Sequence, residues 1–213
     1  NGNVDLYAVV FNRTTETDLT EDQLPQVDIY KYKQVIFVGD SRTEFMENVL
    51  TGMGESATKN VKFVCSAGKG LDWFTTTGWA QLYSIVQHDS NSILSKKTAV
   101  IFNFGVNDLS KSADYAEYYN WIAPQLKSKG CELYFMSVNP VNRLMLPNAG
   151  RADRSEAAVR SFNQYMKANL SSAYTYIDMY SYLKSTGYSF ASDHYGTGTV
   201  DDGLHYTTRT YKR

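Results

Sequence analysis

Four groups of residues have types and spacings that could carry chemistry. Gly39-Asp40-Ser41 follows a run of β-formers, Val35-Ile36-Phe37-Val38, and precedes the apolar positions Phe45, Met46, Val49 and Leu50 at helical spacing. A serine there sits on a strand-to-helix turn, at the carboxyl end of a strand, where open α/β sheets place ligands. It also lies beside the free N–H groups of a helix N-terminus, which favour negative charge. The same residues equally make an ordinary N-cap. A serine hydroxyl is a poor nucleophile until a base takes its proton, and that base must be held in one tautomer by a third group. Of the three histidines, His88 lies in a polar segment and His194 has only the adjacent Asp193, a poor geometry for a side-chain hydrogen bond. His205 stands three residues after Asp202, with Gly203 between them to allow a tight turn. The carboxylate can then reach one ring nitrogen and leave the other facing a substrate. Donors for a developing oxyanion are available from the Ser41 N–H, a glycine N–H in Ser66-Ala67-Gly68-Lys69-Gly70, and the side-chain amide of Asn107 in Gly105-Val106-Asn107-Asp108. Acyl transfer needs this combination.

Such residues work together only if the elements carrying them converge. Val35–Val38, Val61–Val64, Ala99–Phe104, Glu132–Ser137 and Tyr174–Ile177 read as short apolar strands. Helical periodicity marks Thr43–Leu50, the face Trp79, Leu82, Tyr83 and Val86, the stretch Tyr115–Leu126, and Ser155–Leu170. Pro124 is expected to kink or break the third of these helices. Short apolar strands alternating with amphipathic helices predict an α/β fold, a flavodoxin-like three-layer α/β/α sandwich on a five-stranded parallel sheet. In such a sheet the ends of the first three strands bring the serine, the glycine loop and Asn107 to one edge.

Composition sets the outer bounds. The 213 residues are 43% hydrophobic and 20% charged with a net charge of −1, so neither nucleic acid nor an anionic membrane surface is expected as the main partner. No apolar run approaches the roughly 20 residues that span a bilayer. There is no His-Glu-x-x-His and no Cys-x-x-Cys, and no Gly-x-Gly-x-x-Gly or Walker loop, so no metal and no cofactor are expected. Thr43 in place of a final glycine sets Gly39-Asp40-Ser41 apart from the Gly-x-Ser-x-Gly elbow. Cys65 ends one predicted strand and Cys131 begins another, at opposite edges of a parallel sheet, so two free thiols are expected. Residues 1–32 hold a strand-like piece, Val4–Val10, and then a polar stretch without period, which reads as a segment and linker from a preceding domain; residues 33–213 form the domain that carries the chemistry. With neither an initiating Met nor a signal peptide, the chain is expected to be part of a larger multi-domain protein.

The order of the four polar groups resembles the SGNH (GDSL-type) hydrolase family in its bacterial form, Arg42 standing where the family name has Leu. The resemblance implies Ser41 as nucleophile, His205 as base and Asp202 as its orienter. It implies an oxyanion hole from the Ser41 and Gly70 N–H groups with Asn107. Gly70 is favoured because it directly precedes the helix start at Leu71-Asp72-Trp73; Gly68 is the alternative, since Cys65-Ser66 replaces the Asn that often precedes the family's glycine. The family includes carbohydrate O-acetylesterases, thioesterases, lipases and lysophospholipases. No apolar lid-like insertion is visible, which argues against long acyl chains; the resemblance implies a serine esterase acting on short-acyl, above all acetyl, esters carried by a carbohydrate, with a small-molecule or glycan ester as the expected partner. Arg42, Trp73 and Asn139 are candidate substrate contacts. The alternatives are a lipase or lysophospholipase-type acylhydrolase, and a cell-surface glycan-binding module without turnover. The N-terminal Leu6-Tyr7-Ala8 stretch is similar to the last strand of internalin-type repeats of bacterial surface proteins, which implies a secreted or cell-surface setting.

Overall fold

The computed structural model describes residues 32–54, 59–89, 97–191 and 201–212. Five strands, β1 (Tyr32–Gly39), β2 (Val61–Cys65), β3 (Lys97–Asn103), β4 (Cys131–Met136) and β5 (Tyr174–Ile177), form one sheet in the order β2-β1-β3-β4-β5. All four pairings are parallel. The expected flavodoxin-like topology is therefore present, and the strand boundaries lie close to those read from the sequence. Tyr32 opens β1; the rest of the N-terminal segment, with its strand-like piece and linker, lies outside the described residues, as does His194.

Helices cover both faces, which is why the central strands are apolar throughout instead of alternating. On one face Ile36, Val38, Val100, Phe102, Leu133 and Phe135 form a core with three helices. These are α3 (Trp79–Asp89), α4 (Ser112–Ser128) and α5 (Glu156–Asn169), α3 being preceded by the short α2 (Leu71–Trp73) and a π-helical turn, Phe74–Gly78. On the other face Val35, Phe37, Ala99 and Ile101 meet α1 (Ser41–Gly52) and α6 (Met179–Thr186). The short α7 (Thr208–Tyr211) follows the His205 segment.

Of the two outcomes expected at Pro124, a break does not occur. Helix α4 runs unbroken through Pro124. Pro124 is on the exposed face, where water can serve the carbonyl that loses its donor, so the helix continues. Cys65 and Cys131 are both free, at the end of β2 and the start of β4 with β1 and β3 between them.

The register positions the site. Gly39 lies level with Cys65 of β2 and Asn103 of β3, so three chain segments leave the sheet side by side at its carboxyl edge. The order 2-1-3 makes this the switch point, where the chain departs to opposite faces and a crevice opens. Gly39 is required there for space: a Cβ would overlap the Thr43 hydroxyl one helical turn on.

Candidate active site

Ser41 is the first residue of α1, and Asp40 caps that helix by accepting the Arg42 N–H at 3.0 Å. Asp40 is fully enclosed, and burial pushes its carboxyl up to about 6. Its place is behind the turn, as a brace. The Ser41 N–H, at the first helical position, has no intrahelical acceptor, and the aligned peptide dipoles of the helix favour negative charge just beyond it.

The Ser41 hydroxyl donates to His205 Nε2 at 2.9 Å, and His205 Nδ1–H donates to Asp202 Oδ2 at 2.6 Å. These directions follow from charge. Burial favours the neutral acid at Asp202, but hydrogen bonds from the His205 ring, the His205 N–H and the Leu204 N–H outweigh it and hold the carboxylate down at about 2. An ionised carboxylate only accepts, so Nδ1 carries the proton and Nε2 has its lone pair toward Ser41. Burial lowers the His205 pKa below that of a free histidine; Asp202 pulls it up, while Arg42 and Arg151 push it down. The imidazole is thus a neutral, proton-accepting base at neutral pH. The three residues are 5%, 2% and 0% exposed for Ser41, His205 and Asp202. The Phe45 ring stacks on the imidazole with centroids 4.2 Å apart, fixing its plane.

The Asp202–His205 turn is itself tied down. Asp201 accepts the Gly203 N–H at 2.7 Å and the Asn142 side-chain amide at 2.9 Å. Gly203 has φ +73°, and a Cβ there would overlap the Asn142 carbonyl, so only glycine fits.

Arg42 proves to be part of this framework and does not line the cavity. Its guanidinium donates to the carbonyls of Leu204, Asn139 and Pro140 at 2.9, 2.9 and 2.8 Å, and stacks over the Tyr206 ring. It is buried and ties the serine turn to the loop after β4 and to the His205 segment. Asn139 is likewise buried below the surface and offers its carbonyl to that clamp. Trp73 packs against Phe104 and over Gly78, on the core side of its helix. None of these three lines the cavity.

The cavity, about 350 Å³, opens above Ser41 and His205. Phe45, Ala67, Gly68 and Leu204 form its apolar lining, and Asn107, Arg151 and Arg154 its polar side. Gly68 is on the wall and Gly70 is not; a Cβ at Gly70 would overlap the Asp108 carboxylate. Asp108 accepts the Leu71 N–H at 2.9 Å and the Tyr115 hydroxyl at 2.8 Å, which fastens the glycine loop to the end of β3. Neither glycine N–H donates to a described residue. Asn107 Nδ2 donates to the Lys69 carbonyl at 2.8 Å, and its Oδ1 accepts from Arg154 Nη2 at 2.9 Å. Arg151 Nη2 donates to Asp202 Oδ2 at 3.1 Å from the partly exposed rim.

The structure therefore gathers Ser41, His205, Asp202, Asn107 and the glycine loop, and adds Phe45, Arg151 and Arg154. Phe45 had a signal, being one helical turn after Ser41 and hence on the same face. The two arginines had none, since they lie in an unpatterned stretch before α5.

Among known proteins, the model of the GDSL-like lipase/acylhydrolase family matches residues 35–213. The fold is shared with a protein assigned as an SGNH hydrolase from Slackia heliotrinireducens, at 13% identity and TM-score 0.56, over 85% of this chain and 95% of that one. It is shared with a protein assigned as an acylhydrolase from Bacteroides fragilis, at 18% identity and TM-score 0.53, over 89% and 86%. An acetyl xylan esterase also has it, at 13% identity and TM-score 0.51, over 84% and 94%. No curated protein matches the chain. The chain belongs to the GDSL-like lipase/acylhydrolase family and is a hydrolytic enzyme.

Proposed function

We propose that the enzyme is a serine esterase that removes short acyl groups, acetyl above all, from a carbohydrate through an acyl-enzyme on Ser41. The observation that carries this reading is the unbroken relay Ser41–His205–Asp202 at the floor of an open cavity. His205 Nε2 takes the hydroxyl proton as Ser41 Oγ attacks the ester carbonyl. The carbonyl oxygen becomes an oxyanion, for which the Ser41 N–H, a glycine N–H and the free Asn107 N–H are the donors. Asp202 stays ionised and stabilises the imidazolium. The imidazolium then protonates the departing alcohol, leaving acyl-Ser41. Water repeats the sequence, with His205 as its base, and releases the acid. Gly68 is the glycine at the cavity wall, so the choice between it and Gly70 rests on which N–H an oxyanion meets.

Two features support a short acyl group on a polar alcohol. The apolar lining is limited to a few small or single side chains, and one side of the cavity is formed by Asn107 and two arginines. An acetyl xylan esterase with the same fold is a precedent for such a substrate. A secreted or cell-surface setting goes with a glycan substrate. The test is a p-nitrophenyl ester series from acetate to decanoate, together with acetate release from acetylated oligosaccharides. The expected result is the highest kcat/KM on acetate and release of acetate from the glycan, both lost in Ser41→Ala. Equal or faster turnover of the long chains would overturn the substrate class; activity retained by Ser41→Ala would overturn the mechanism.

A further inference from the structure

We infer that Arg154 is a positioning residue for the proposed reaction: it locks the side-chain amide of Asn107 in the one orientation that presents an N–H to the cavity. The inference rests on the reading of Asn107 as an oxyanion donor. An asparagine amide is nearly symmetric in shape, and a half-turn about its last bond exchanges donor for acceptor. Turned the wrong way, Asn107 would meet a developing oxyanion with its carbonyl oxygen and repel it. Its two neighbours decide the matter. Arg154 can only donate, and its Nη2 meets Oδ1 at 2.9 Å. The Lys69 carbonyl can only accept, and it meets Nδ2 at 2.8 Å. A half-turn would place N–H against guanidinium N–H and oxygen against oxygen, losing both bonds at once. One Nδ2 hydrogen is engaged by Lys69, which leaves the other for the cavity that Asn107 lines.

Arg154 is held well enough to impose this. Its Nε donates to the carbonyl of Val106, the residue before Asn107, at 2.6 Å, and its Nη1 donates to the Ala152 carbonyl at 2.9 Å. The same guanidinium therefore fixes both the backbone and the side chain at the end of β3. Its segment is tethered from outside by a two-bond pair between Arg143 and Asp153, both contacts 2.7 Å. Donation from a cation into Oδ1 also polarises the amide, so its N–H groups become stronger donors. The Lys69 contact carries the lock to the glycine loop, which links two of the proposed oxyanion donors through one side chain.

A plain strut for the loop would need the same hydrogen bonds, so the test must separate the two roles. Asn107→Ala, Arg154→Gln and the double variant are compared by kcat and KM on an acetyl ester, with thermal unfolding of each. Arg154→Gln is expected to lower kcat about 10- to 100-fold, less than loss of the donor itself, with KM little changed. In the Asn107→Ala background the same substitution is expected to leave kcat nearly where it was, because the amide it orients is gone. Arg154→Lys, which keeps the charge without the fork, carries the same comparison should Arg154→Gln fail to fold. Arg143→Gln removes the outer tether while Arg154 keeps its bonds to Val106, Ala152 and Asn107, and is expected to lower kcat far less than Arg154→Gln; an equal loss in the two variants would make Arg154 a plain strut of the loop and overturn the inference. An unchanged kcat in Arg154→Gln, or an equal loss in both backgrounds, would overturn the inference. A full kcat in Asn107→Ala would overturn the oxyanion reading, and the inference with it.

Discussion

The two halves of the site are built by opposite means. The half that holds Ser41, His205 and Asp202 is buried: all three are enclosed, the imidazole is pinned by Phe45, and Arg42 donates to three carbonyls. The half facing it, made of the glycine loop, Asn107 and the Arg151–Arg154 segment, borders the open cavity. Its donors at Gly68 and Gly70 have no acceptor among the described residues. The difference matches what each half would do in the proposed reaction. Proton transfer between Ser41 and His205 needs fixed distances and a low dielectric, which suits full burial. Oxyanion donors in that reaction would have to stay unpaired until charge develops, which suits the boundary, where water or substrate can reach them. Rigidity there comes from behind, through Asp108 and Arg154.

Substitutions on the two sides should break this contrast unequally. Ser41→Ala or His205→Ala is expected to lower kcat by on the order of 10⁶-fold with little change in folding, measured by steady-state kinetics beside circular dichroism. Asn107→Ala, on the open side, removes one donor and is expected to cost about 100- to 1,000-fold in kcat. Arg42→Met tests the buried clamp: it leaves three carbonyls short of charged donors and is expected to destabilise the fold by about 3 kcal/mol or more in urea unfolding. A raised KM with unchanged stability would instead make Arg42 a substrate contact. The smallest effect is on the pH profile. Burial holds the His205 pKa below the usual 6.5, and only the neutral ring accepts the Ser41 proton. The acid limb of kcat/KM should therefore fall below pH 6.5, activity rising with pH through it. Arg151→Gln removes a cation that disfavours the imidazolium, so the limb should move upward in pH, with the plateau largely retained.

The buried half was the more legible in sequence. Ser41 follows a strand of consecutive β-formers, and Asp202 and His205 lie three residues apart, so local geometry alone brings that pair into register. Parallel pairing then did the rest by setting Gly39 level with Cys65 and Asn103. Arg42 does not line the cavity because adjacency in sequence is not adjacency on a helix: one step along α1 turns the side chain about 100° around the axis, toward the carbonyls of Asn139, Pro140 and Leu204. Trp73 turned to the core for the same kind of reason, on the far side of the helix that Gly70 begins. Arg151 and Arg154 could not be found by any period, since they lie in irregular chain whose path is set by contacts distant in sequence, Asp202 and Asn107 among them. Pro124 shows the converse, a strong local signal overridden because its face of α4 is exposed.

Covalent acylation of Ser41, activated by His205, is tested most directly by treating the protein with a fluorophosphonate, measuring intact mass and mapping the modified peptide. One adduct per chain is expected, on Ser41, absent from Ser41→Ala and formed far more slowly in His205→Ala. Modification at another residue, or none at all in a folded wild-type protein, would contradict it.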